Sequence, residues 1–362
     1  MSSPPGPPGV PEHERVTAGA ASTTSAADQF LSRDRTALDR IHGFLHRYEI
    51  GASAAVLVVA CIVFAILDGS KFVDPFNISI VLQQTMVIGI LAIAQTLVIL
   101  TAGIDLSVGA IMVLSSVVMG RLAIDAGWPA PIALLAGLGI GVACGYINGV
   151  LVTRFHLPPF IATLGTLSVF FSLNLYISQS NTIRSQDIEA KASMLQWMGQ
   201  SFNIGGLRIA VGVVMMIALF AIVWFALNWT SWGRHVYAVG NDPAAARLVG
   251  IRTNRVLLSV YLVAGVICAI AAWVFIGRIG SVAPQGLVDS NLDSITAAVI
   301  GGVSLFGGRG SVFGALIGAL TVGVFSNGLS LYGLDVLWKQ LAIGLLILGA
   351  VALDHWIRRV KA

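Results

Sequence analysis

Charged residues are scarce in this sequence of 362 residues. Asp, Glu, Lys and Arg together make up 10% of it, whereas hydrophobic residues make up 56%. A soluble globular protein carries roughly a quarter charged residues, so this composition excludes an ordinary soluble domain. The net charge of +4 is spread over loops and forms no basic patch, which argues against a nucleic-acid-binding protein. The composition predicts a polytopic membrane protein.

The sequence also lacks the residue patterns that metal or nucleotide chemistry needs. Its three cysteines, Cys61, Cys144 and Cys268, lie in apolar runs and predict neither a disulfide framework nor a zinc site. The six histidines and 17 acidic residues show no metal-ligand spacing. No lysine completes the Walker A pattern G-x-x-x-x-G-K-[ST], so any ATPase must be another chain. We expect no catalytic residue, metal or cofactor in this chain.

The N-terminal residues differ in composition from the rest of the chain. The stretch MSSPPGPPGVPEHERVTAGAASTTSAADQ is rich in Pro, Gly, Ser, Thr and Ala and lacks bulky apolar residues, which is typical of disorder. It also lacks the charged-then-apolar layout of a cleavable signal peptide. A short amphipathic segment, 30–48, leads into the first apolar run. We predict a disordered tail over 1–45 and a transmembrane domain over 46–362.

Long apolar runs fill most of the remaining sequence. A membrane-spanning helix needs about 20 mostly apolar residues. Ten segments qualify, the third and eighth being short and interrupted by glycine: 50–67, 79–100, 105–120, 130–152, 159–178, 208–228, 256–277, 293–306, 312–331 and 335–353. The sequence therefore predicts an all-α polytopic membrane protein of about ten transmembrane helices, with broken helices near 101–109 and 293–310.

The distribution of basic residues predicts the direction of these spans. Cytoplasmic loops carry an excess of Lys and Arg, and most of the 21 Lys and Arg residues lie on the side that contains both termini. We therefore expect both termini to be cytoplasmic. The longest inward connection between spans, 230–256, is then a cytoplasmic loop.

This loop contains the stretch GNDPAAARLVGI, Gly240 to Ile251, which has the signals of one short helix. Asp242 fits the N-cap, Pro243 the first helical position, and Gly250 the position just past the end. An isolated helix of this length is not stable in water. We therefore expect helix 243–249 to pack against a partner.

Glycines recur at a spacing of four in two predicted spans. They are Gly137, Gly141, Gly145 and Gly149 in one span, and Gly314 and Gly318 in another. Small residues at this spacing let the backbones of membrane helices approach closely. We interpret these glycines as packing residues, with a pathway lining as the alternative.

Two segments interrupt the pattern of long apolar helices. In TAGIDLSVG, Thr101 to Gly109, Gly103 can end one helix and Asp105 can cap the next. The segment DSITAAVIGGVSLFGGRG, 293–310, also opens on an acidic residue and continues into glycine-rich backbone. Corresponding broken segments indicate a transport pathway. Asp105 itself has two interpretations, a helix cap or a contact for substrate or gating.

Three stretches of the sequence are similar to one protein family. They are LQQTMVIGILAIAQTLVILTAGIDLSVG (82–109), SWGRHVYAVGNDPAAARLVGIRTNRV (231–256) and NLDSITAAVIGGVSLFGGRGSVFGALIGALTVGVFSNGLSLYG (291–333). They resemble the permease subunits of bacterial ATP-binding-cassette (ABC) importers of monosaccharides, the ribose/xylose/galactose type. The resemblance runs from about residue 50 to 355. It has two departures: Asn291 stands where relatives often have an acidic residue, and the first 45 residues have no counterpart in the shorter relatives.

The resemblance implies how such a protein works. It implies a sugar permease of the bacterial inner membrane that forms a dimer and receives sugar from an extracytoplasmic binding protein. Separate ATPase subunits bind ATP and Mg. A short cytoplasmic helix of the permease docks in a groove on the ATPase, and helix 243–249 matches it. The residues expected to carry this coupling are Arg234, Gly240, Asn241, Asp242, Pro243, Ala244, Ala245, Ala246, Arg247, Leu248 and Gly250.

Polar residues within the spans are the candidates for lining the sugar path. A sugar is recognised by hydrogen bonds to its hydroxyls and by apolar contact with its ring faces, but hydrogen bonding between helices is the alternative role for each residue. We expect the outward loop 180–207, with Trp197, Met198 and Phe202, to meet the binding protein. The pathway candidates are Gln84, Gln95, Thr101, Asp105, Ser107, Asn148, Thr163, Thr166, Asn174, Asp293, Ser294, Thr296 and Asn327, with Phe160 and Phe170 for ring contacts.

Other functions remain open at this point. The same architecture could import branched-chain amino acids or nucleosides. An ion-coupled secondary carrier would use Asp105 or Asp293 as its proton or sodium site, although few charges lie in the spans. An intramembrane enzyme would need paired carboxylates, or a His or Ser base pair, at helical spacing, and the sequence shows no such pair.

Overall fold

The computed structural model describes residues 49–286, 290–335, 337–345 and 348–349, with side chains from residue 51 onwards. The predicted disordered tail, 1–45, and nearly all of the amphipathic segment, 30–48, lie outside the described residues. So does the end of the last predicted span, 335–353.

Within the described residues the chain is mainly α-helical. The helices are α1 (Glu49–Leu67), α2 (Ser70–Val73), α3 (Pro75–Leu100), α4 (Val108–Ile124), α5 (Ala130–Thr153), α6 (Pro159–Ser178), α7 (Ser185–Ala192), α8 (Val211–Trp229), α9 (Ser231–Asn241), α10 (Pro243–Leu248), α11 (Thr253–Ile279), α12 (Ser290–Ile300) and α13 (Val312–Leu331). A 3-10 helix (Ser193–Gly199) and a hairpin of β1 (Ser201–Ile204) and β2 (Leu207–Ala210) lie between α7 and α8. Residues 337–345 are also helical.

Six of these helices are long and apolar enough to cross a membrane: α3, α5, α6, α8, α11 and α13. Shorter apolar helices cover 51–67 and 108–124. Eight of the ten predicted spans are therefore apolar helices at the expected places. The all-α polytopic fold is confirmed.

The predicted span 293–306 is wrong in its second half. Helix α12 ends at Ile300, and a non-helical segment, 301–311, leads to α13. Glycines explain where the helix stops, since Gly302, Gly307 and Gly308 have φ of +82°, +82° and +69°. These left-handed conformations favour glycine and cannot continue a right-handed helix.

The glycines at a spacing of four pack helices against each other, as predicted. A Cβ added to Gly141 or Gly145 of α5 would overlap the backbone of α11, at Gly265 and Tyr261. Gly149 contacts Leu258 of α11, and Gly137 contacts Met119 of α4. Close approach of this kind is how helices associate in lipid, where no hydrophobic burial drives them together. Helix α5 is thereby fixed between α4 and α11.

The other glycine pair packs α13 against α12. A Cβ on Gly314 would overlap the carbonyl of Gly301, and one on Gly318 would overlap the carbonyl of Ala297. The short helix α12 and the start of segment 301–311 therefore lie directly on α13. This contact fixes the position of the second broken segment.

The predicted outward loop folds into α7, the 3-10 helix and the β hairpin. Its two-residue turn has positive φ at both Gly205 and Gly206, as such hairpin turns require. Trp197 and Phe202 are 44% and 42% exposed, whereas Met198 is fully buried. The expectation that Met198 meets a binding protein is therefore wrong, because its backbone packs against Gly277 of α11.

Candidate functional site

The first broken segment lies between the end of α3 at Leu100 and the start of α4 at Val108. Asp105 lies within it and is only 1% exposed. Its carboxylate Oδ1 accepts hydrogen bonds from the backbone N–H of Ser107 at 2.7 Å and from the Ser107 hydroxyl at 2.6 Å. The N-cap position of α4 is Ser107, so the prediction that Asp105 caps this helix is wrong by two residues. An Asp side chain readily bonds the backbone two residues on, and here that bond shapes the turn before the helix.

Asp105 and Ser107 belong to a buried polar network that reaches two further helices. The Asn148 amide of α5 donates to the Ser107 hydroxyl at 2.8 Å and lies 3.5 Å from Oδ2 of Asp105. The Asn148 amide oxygen accepts from the Thr166 hydroxyl of α6 at 2.7 Å. All four side chains are buried. A buried network whose members satisfy one another makes its surroundings rigid, so this network fixes the break relative to α5 and α6.

Thr163 of α6 holds the backbone of the same break. Its hydroxyl oxygen accepts from the N–H of Leu106 at 3.1 Å and lies 3.1 Å from the carbonyl oxygen of Ile104. Non-helical backbone at membrane depth must have its polar groups satisfied by protein or water. Thr163, on the neighbouring helix, provides the hydrogen-bond partner for these backbone groups. No described Lys or Arg forms an ion pair with Asp105, so hydrogen-bond donors balance its carboxyl group.

A cavity of about 100 Å³ lies between α4, α6, the segment before α12 and the start of α12. Its walls are mostly apolar and include the ring of Phe171. Asn291 at the start of α12 is the polar side chain in its lining, and its amide oxygen accepts from the N–H of Gly109 at 2.6 Å. The full lining is Gly109, Ala110, Val113, Leu167, Phe171, Pro284 and Asn291.

Sequence reasoning did not place Asn291 among the pathway residues. The sequence signal was present, since Asn291 opens a broken span and was noted as a departure from the resemblance. Asn and acidic side chains share an oxygen acceptor, which is the group that the N–H of Gly109 requires. The structure thus gives a physical reason for a polar residue at this position.

Several predicted pathway residues form hydrogen bonds with backbone carbonyls and are not part of the cavity lining. The Asn174 amide donates to the carbonyl of Pro284 at 2.7 Å, which anchors one cavity wall. Ser294 and Thr296 donate to backbone carbonyls of their own helix, at 2.8 Å and 2.6 Å. Asp293 is half-buried on the same helix.

The two predicted ring contacts lie outside the cavity lining. Phe160 is 50% exposed, whereas Phe170 is buried in the main core. Phe171, next to Phe170 in the sequence, lines the cavity instead. Successive residues of a helix point about 100° apart, so an error of one residue changes the face.

Four other predicted pathway residues lie outside the network. Gln95 of α3 is fully buried, and neither its amide nitrogen nor its amide oxygen bonds a described residue. The side-chain oxygens of Gln84 and Asn327 are also buried without a bond to a described residue. The Thr101 hydroxyl donates to the carbonyl of Val98 at 2.8 Å. A buried amide without a partner is costly, roughly 1–3 kcal/mol, so we expect water or a substrate hydroxyl to meet Gln95.

Loop 230–256, which the sequence predicts to be cytoplasmic, contains α9 and the short helix α10, and α10 has the predicted capping residues. The Asp242 carboxylate accepts from the N–H groups of Ala244 and Ala245 at 2.8 Å and 3.0 Å. Pro243 is the first helical residue, and Gly250 has a φ of +85° just past the end. The helix ends one residue earlier than predicted, because Val249 is its C-cap.

Helix α10 exposes most of its surface. Ala246 is its buried residue, at 3% exposed, whereas Leu248 and the C-cap Val249 are 89% and 76% exposed. Ala244, Ala245 and Arg247 are exposed as well. Two large apolar side chains in such open positions are consistent with the expected partner.

The end of α9 contacts both broken segments through backbone atoms, at what we call the glycine junction: Leu100, Gly240 and Gly308. The N–H of Gly308 donates to the carbonyl of Leu100 at 2.9 Å. A Cβ on Gly240 would overlap the same carbonyl, and a Cβ on Gly308 would lie 2.7 Å from the Cα of Asn241. Gly240 was expected at the entry to the helix, but Gly308 and Leu100 were not expected beside it. The junction leaves no space between the loop and the two breaks.

Comparison with known proteins agrees with this architecture. Residues 77–351 match the family described as "Branched-chain amino acid transport system / permease component". The chain is 52% identical to the fructose import permease protein of Rhizobium meliloti over 351 residues, which cover 97% of each chain. It is 39% identical to the ribose import permease protein of Bacillus subtilis over 83% of this chain and 90% of that one. It is 33% identical to the D-allose transport system permease protein of Escherichia coli over 84% and 91%. No solved structure matches the chain.

Proposed function

Since this chain belongs to the permease family of ABC importers, we propose that it forms the membrane path along which a monosaccharide enters the cell. The path works with a separate ATPase and with a binding protein that delivers the sugar. Two copies of the chain form the complete permease, with both termini and loop 230–256 in the cytoplasm.

A sugar fits the relatives better than an amino acid does. The family description includes branched-chain amino acid systems, but the relatives at 52%, 39% and 33% identity are named for fructose, ribose and D-allose. These relatives match along most of the chain, so a monosaccharide is the favoured substrate class. The relative at 52% identity is named for fructose, and fructose is therefore the first sugar to test.

The cavity beside Asn291 suits weak and transient recognition of a sugar. The ring of Phe171 can cover an apolar sugar face, and Asn291, whose amide oxygen accepts from the N–H of Gly109, is the polar residue of the lining. The remaining lining is apolar and offers few competing hydrogen bonds. A translocation site must release its substrate, so few strong contacts are an advantage.

The glycine junction is the observation that supports coupling of this path to ATP hydrolysis. A rigid helix that moves with the ATPase displaces the end of α9, and Gly240 there touches the carbonyl of Leu100, which Gly308 also binds. Because no side chain lies between these backbones, a small displacement reaches both breaks. Packed interfaces of this kind pass from one arrangement to another rather than deform smoothly.

The test is ATP hydrolysis by the reconstituted importer. Permease and ATPase in vesicles should hydrolyse ATP several times faster when fructose-loaded or ribose-loaded binding protein is added outside. A leucine-loaded binding protein should have no effect, and stimulation by it alone would identify an amino acid importer. Collapse of uptake by an uncoupler at constant ATP would identify an ion-driven carrier instead.

A further inference from the structure

A basic cleft of about 410 Å³ lies beside α10. It is formed by two connections, the α5–α6 connection that contains His156 and the residues that join α10 to α11. The lining is His156, Arg247, Ile251, Arg252, Thr253, Asn254 and Arg255. Loop 154–158 therefore shares a surface with the cytoplasmic loop, which the sequence did not predict.

The positive charge of this cleft is not balanced within the described part of the chain. No ion pair joins Arg247, Arg252 or Arg255 to a described carboxylate. Arg252 is the N-cap of α11, and Arg255 lies in its first turn. The helix dipole adds positive potential at that end, so the two arginines reinforce it. An acidic group from outside would relieve this repulsion.

Exposed apolar side chains are next to lining residues of the cleft in the sequence of both connections. Leu248 and Val249 directly follow Arg247 at the end of α10, and Phe155, 65% exposed, directly precedes His156 in the other loop. We call these three residues, together with His156 and the three arginines of the cleft, the docking face. It combines an apolar surface with a basic centre.

The two loops of the docking face are held together before any partner binds. The Asn254 side chain joins the two loops by donating to the carbonyl of Thr153 at 3.3 Å. Within the α10–α11 connection, Arg247 Nε donates to the Thr253 hydroxyl at 3.0 Å. A surface that is already ordered loses less conformational freedom when it binds. The face is therefore suited to bind as one unit.

We propose that the docking face binds an apolar groove rimmed by carboxylates on the ATPase subunit, so that loop 154–158 shares the docking with α10. The inference rests on the proposed function and adds the chemistry of the partner surface. Steering by opposite charges speeds association and makes it sensitive to salt.

An anionic lipid headgroup is the other partner that arginines could attract, and the structure favours the ATPase. A helix that lies in a membrane surface has a broad apolar face and a basic polar face. Helix α10 has six residues and exposes Ala244 and Ala245 behind the carboxylate of Asp242. A narrow helix that has small side chains and an acidic N-cap residue fits a protein groove better than an anionic lipid surface.

The test measures the dissociation constant between detergent-purified permease and its ATPase subunit at low and high salt. The wild-type constant should rise with salt, and a constant that does not change with salt would overturn the proposal even without a variant. The double variant Arg252→Glu/Arg255→Glu should raise the low-salt constant at least tenfold. The charge-keeping double variant Arg252→Lys/Arg255→Lys should stay within about threefold of the wild type.

The matched control is Arg184→Glu/Lys191→Glu, which reverses two exposed charges on the opposite, outward loop. It should leave the constant within twofold of the wild type. An unchanged constant in the Arg252→Glu/Arg255→Glu variant would overturn the proposal. The proposal would also be overturned if the Arg252→Glu/Arg255→Glu variant lost the wild type's binding to vesicles that contain phosphatidylglycerol but kept its affinity for the ATPase. That result would place lipid at the cleft.

The test separates this inference from the proposed function. Stimulation of wild-type ATP hydrolysis by sugar-loaded binding protein supports the proposed function, whatever the variants do. If that stimulation is present and the ATPase binds the Arg252→Glu/Arg255→Glu variant normally, the docking inference alone fails.

Discussion

The backbone N–H of Gly308 donates a 2.9 Å hydrogen bond to the carbonyl oxygen of Leu100 and so joins the two broken segments. Gly240, at the end of α9, packs on the same carbonyl. Loop 230–256 and both breaks therefore meet at one point, where only backbone atoms are in contact. Any side chain added there must move one of the three.

The variant Gly308→Ala should uncouple ATP hydrolysis from transport. Its Cβ would lie 2.7 Å from the Cα of Asn241, so the loop and the break must separate. We expect sugar uptake per ATP to fall at least tenfold while the ATPase still co-purifies with the permease. Uptake and ATP hydrolysis measured in the same vesicles give this ratio.

The control for that variant is Gly127→Ala. Gly127 has the same φ of +69°, but a Cβ there would meet nothing within 4 Å. Both variants therefore carry a similar backbone strain of about 1–2 kcal/mol, and only one disturbs the junction. Equal loss of uptake per ATP in the two variants would show that strain, rather than contact, is responsible.

The sequence predicts well those features that depend on local chemistry. The capped helix α10 follows from Asp242, Pro243 and Gly250, because each residue satisfies a backbone requirement within one turn. The apolar spans follow from the membrane's demand for about 20 apolar residues. Such features need no knowledge of distant contacts.

The sequence does not predict which distant residues meet. Asn148 and Thr166 lie on different helices from Asp105, and the packing of α5 and α6 brings them together. The contact of Gly308 with Leu100 joins two segments that are far apart in the sequence. Polar residues could be recognised as candidates, but their partners depend on how each helix is rotated about its axis. The same is true of the ring contact, since Phe171 lines the cavity where the sequence predicted Phe170.

Removal of the cap of α10 should weaken coupling. The variant Asp242→Ala loses the acceptor for the N–H groups of Ala244 and Ala245, which costs about 1 kcal/mol of helix stability. We expect sugar-stimulated ATP hydrolysis to fall several-fold at unchanged expression. Asp242→Asn keeps the acceptor and should retain most of the stimulation. Equal loss in both variants would mean that the charge of Asp242, rather than its cap, matters.

Replacement of Asp105 separates its structural role, as the acceptor for Ser107, from a direct role in transport. Asp105→Asn keeps an oxygen acceptor for both donors of Ser107, so we expect thermal stability and uptake within about twofold of the wild type. Asp105→Leu leaves the N–H and the hydroxyl of Ser107 without the acceptor that they now share. Each unsatisfied buried group costs roughly 1–3 kcal/mol, so stability and uptake should both fall. Loss of uptake in Asp105→Asn at unchanged melting temperature would instead indicate that transport needs the carboxyl group itself.

Asn291 should be replaceable by a residue that keeps its oxygen but not by an apolar one. Asn291→Leu leaves the N–H of Gly109 buried without the acceptor that now lies 2.6 Å away, at the first turn of α4. We expect a loss of roughly 1–3 kcal/mol in stability. We also expect a large loss of uptake, because the bond between Asn291 and α4 holds two walls of the cavity together. Asn291→Asp keeps the acceptor and should retain the melting temperature, while the missing amide donor raises the KM for sugar-loaded binding protein. Melting temperature and uptake kinetics of the two variants check this, and a stable, fully active Asn291→Leu variant would remove Asn291 from the path.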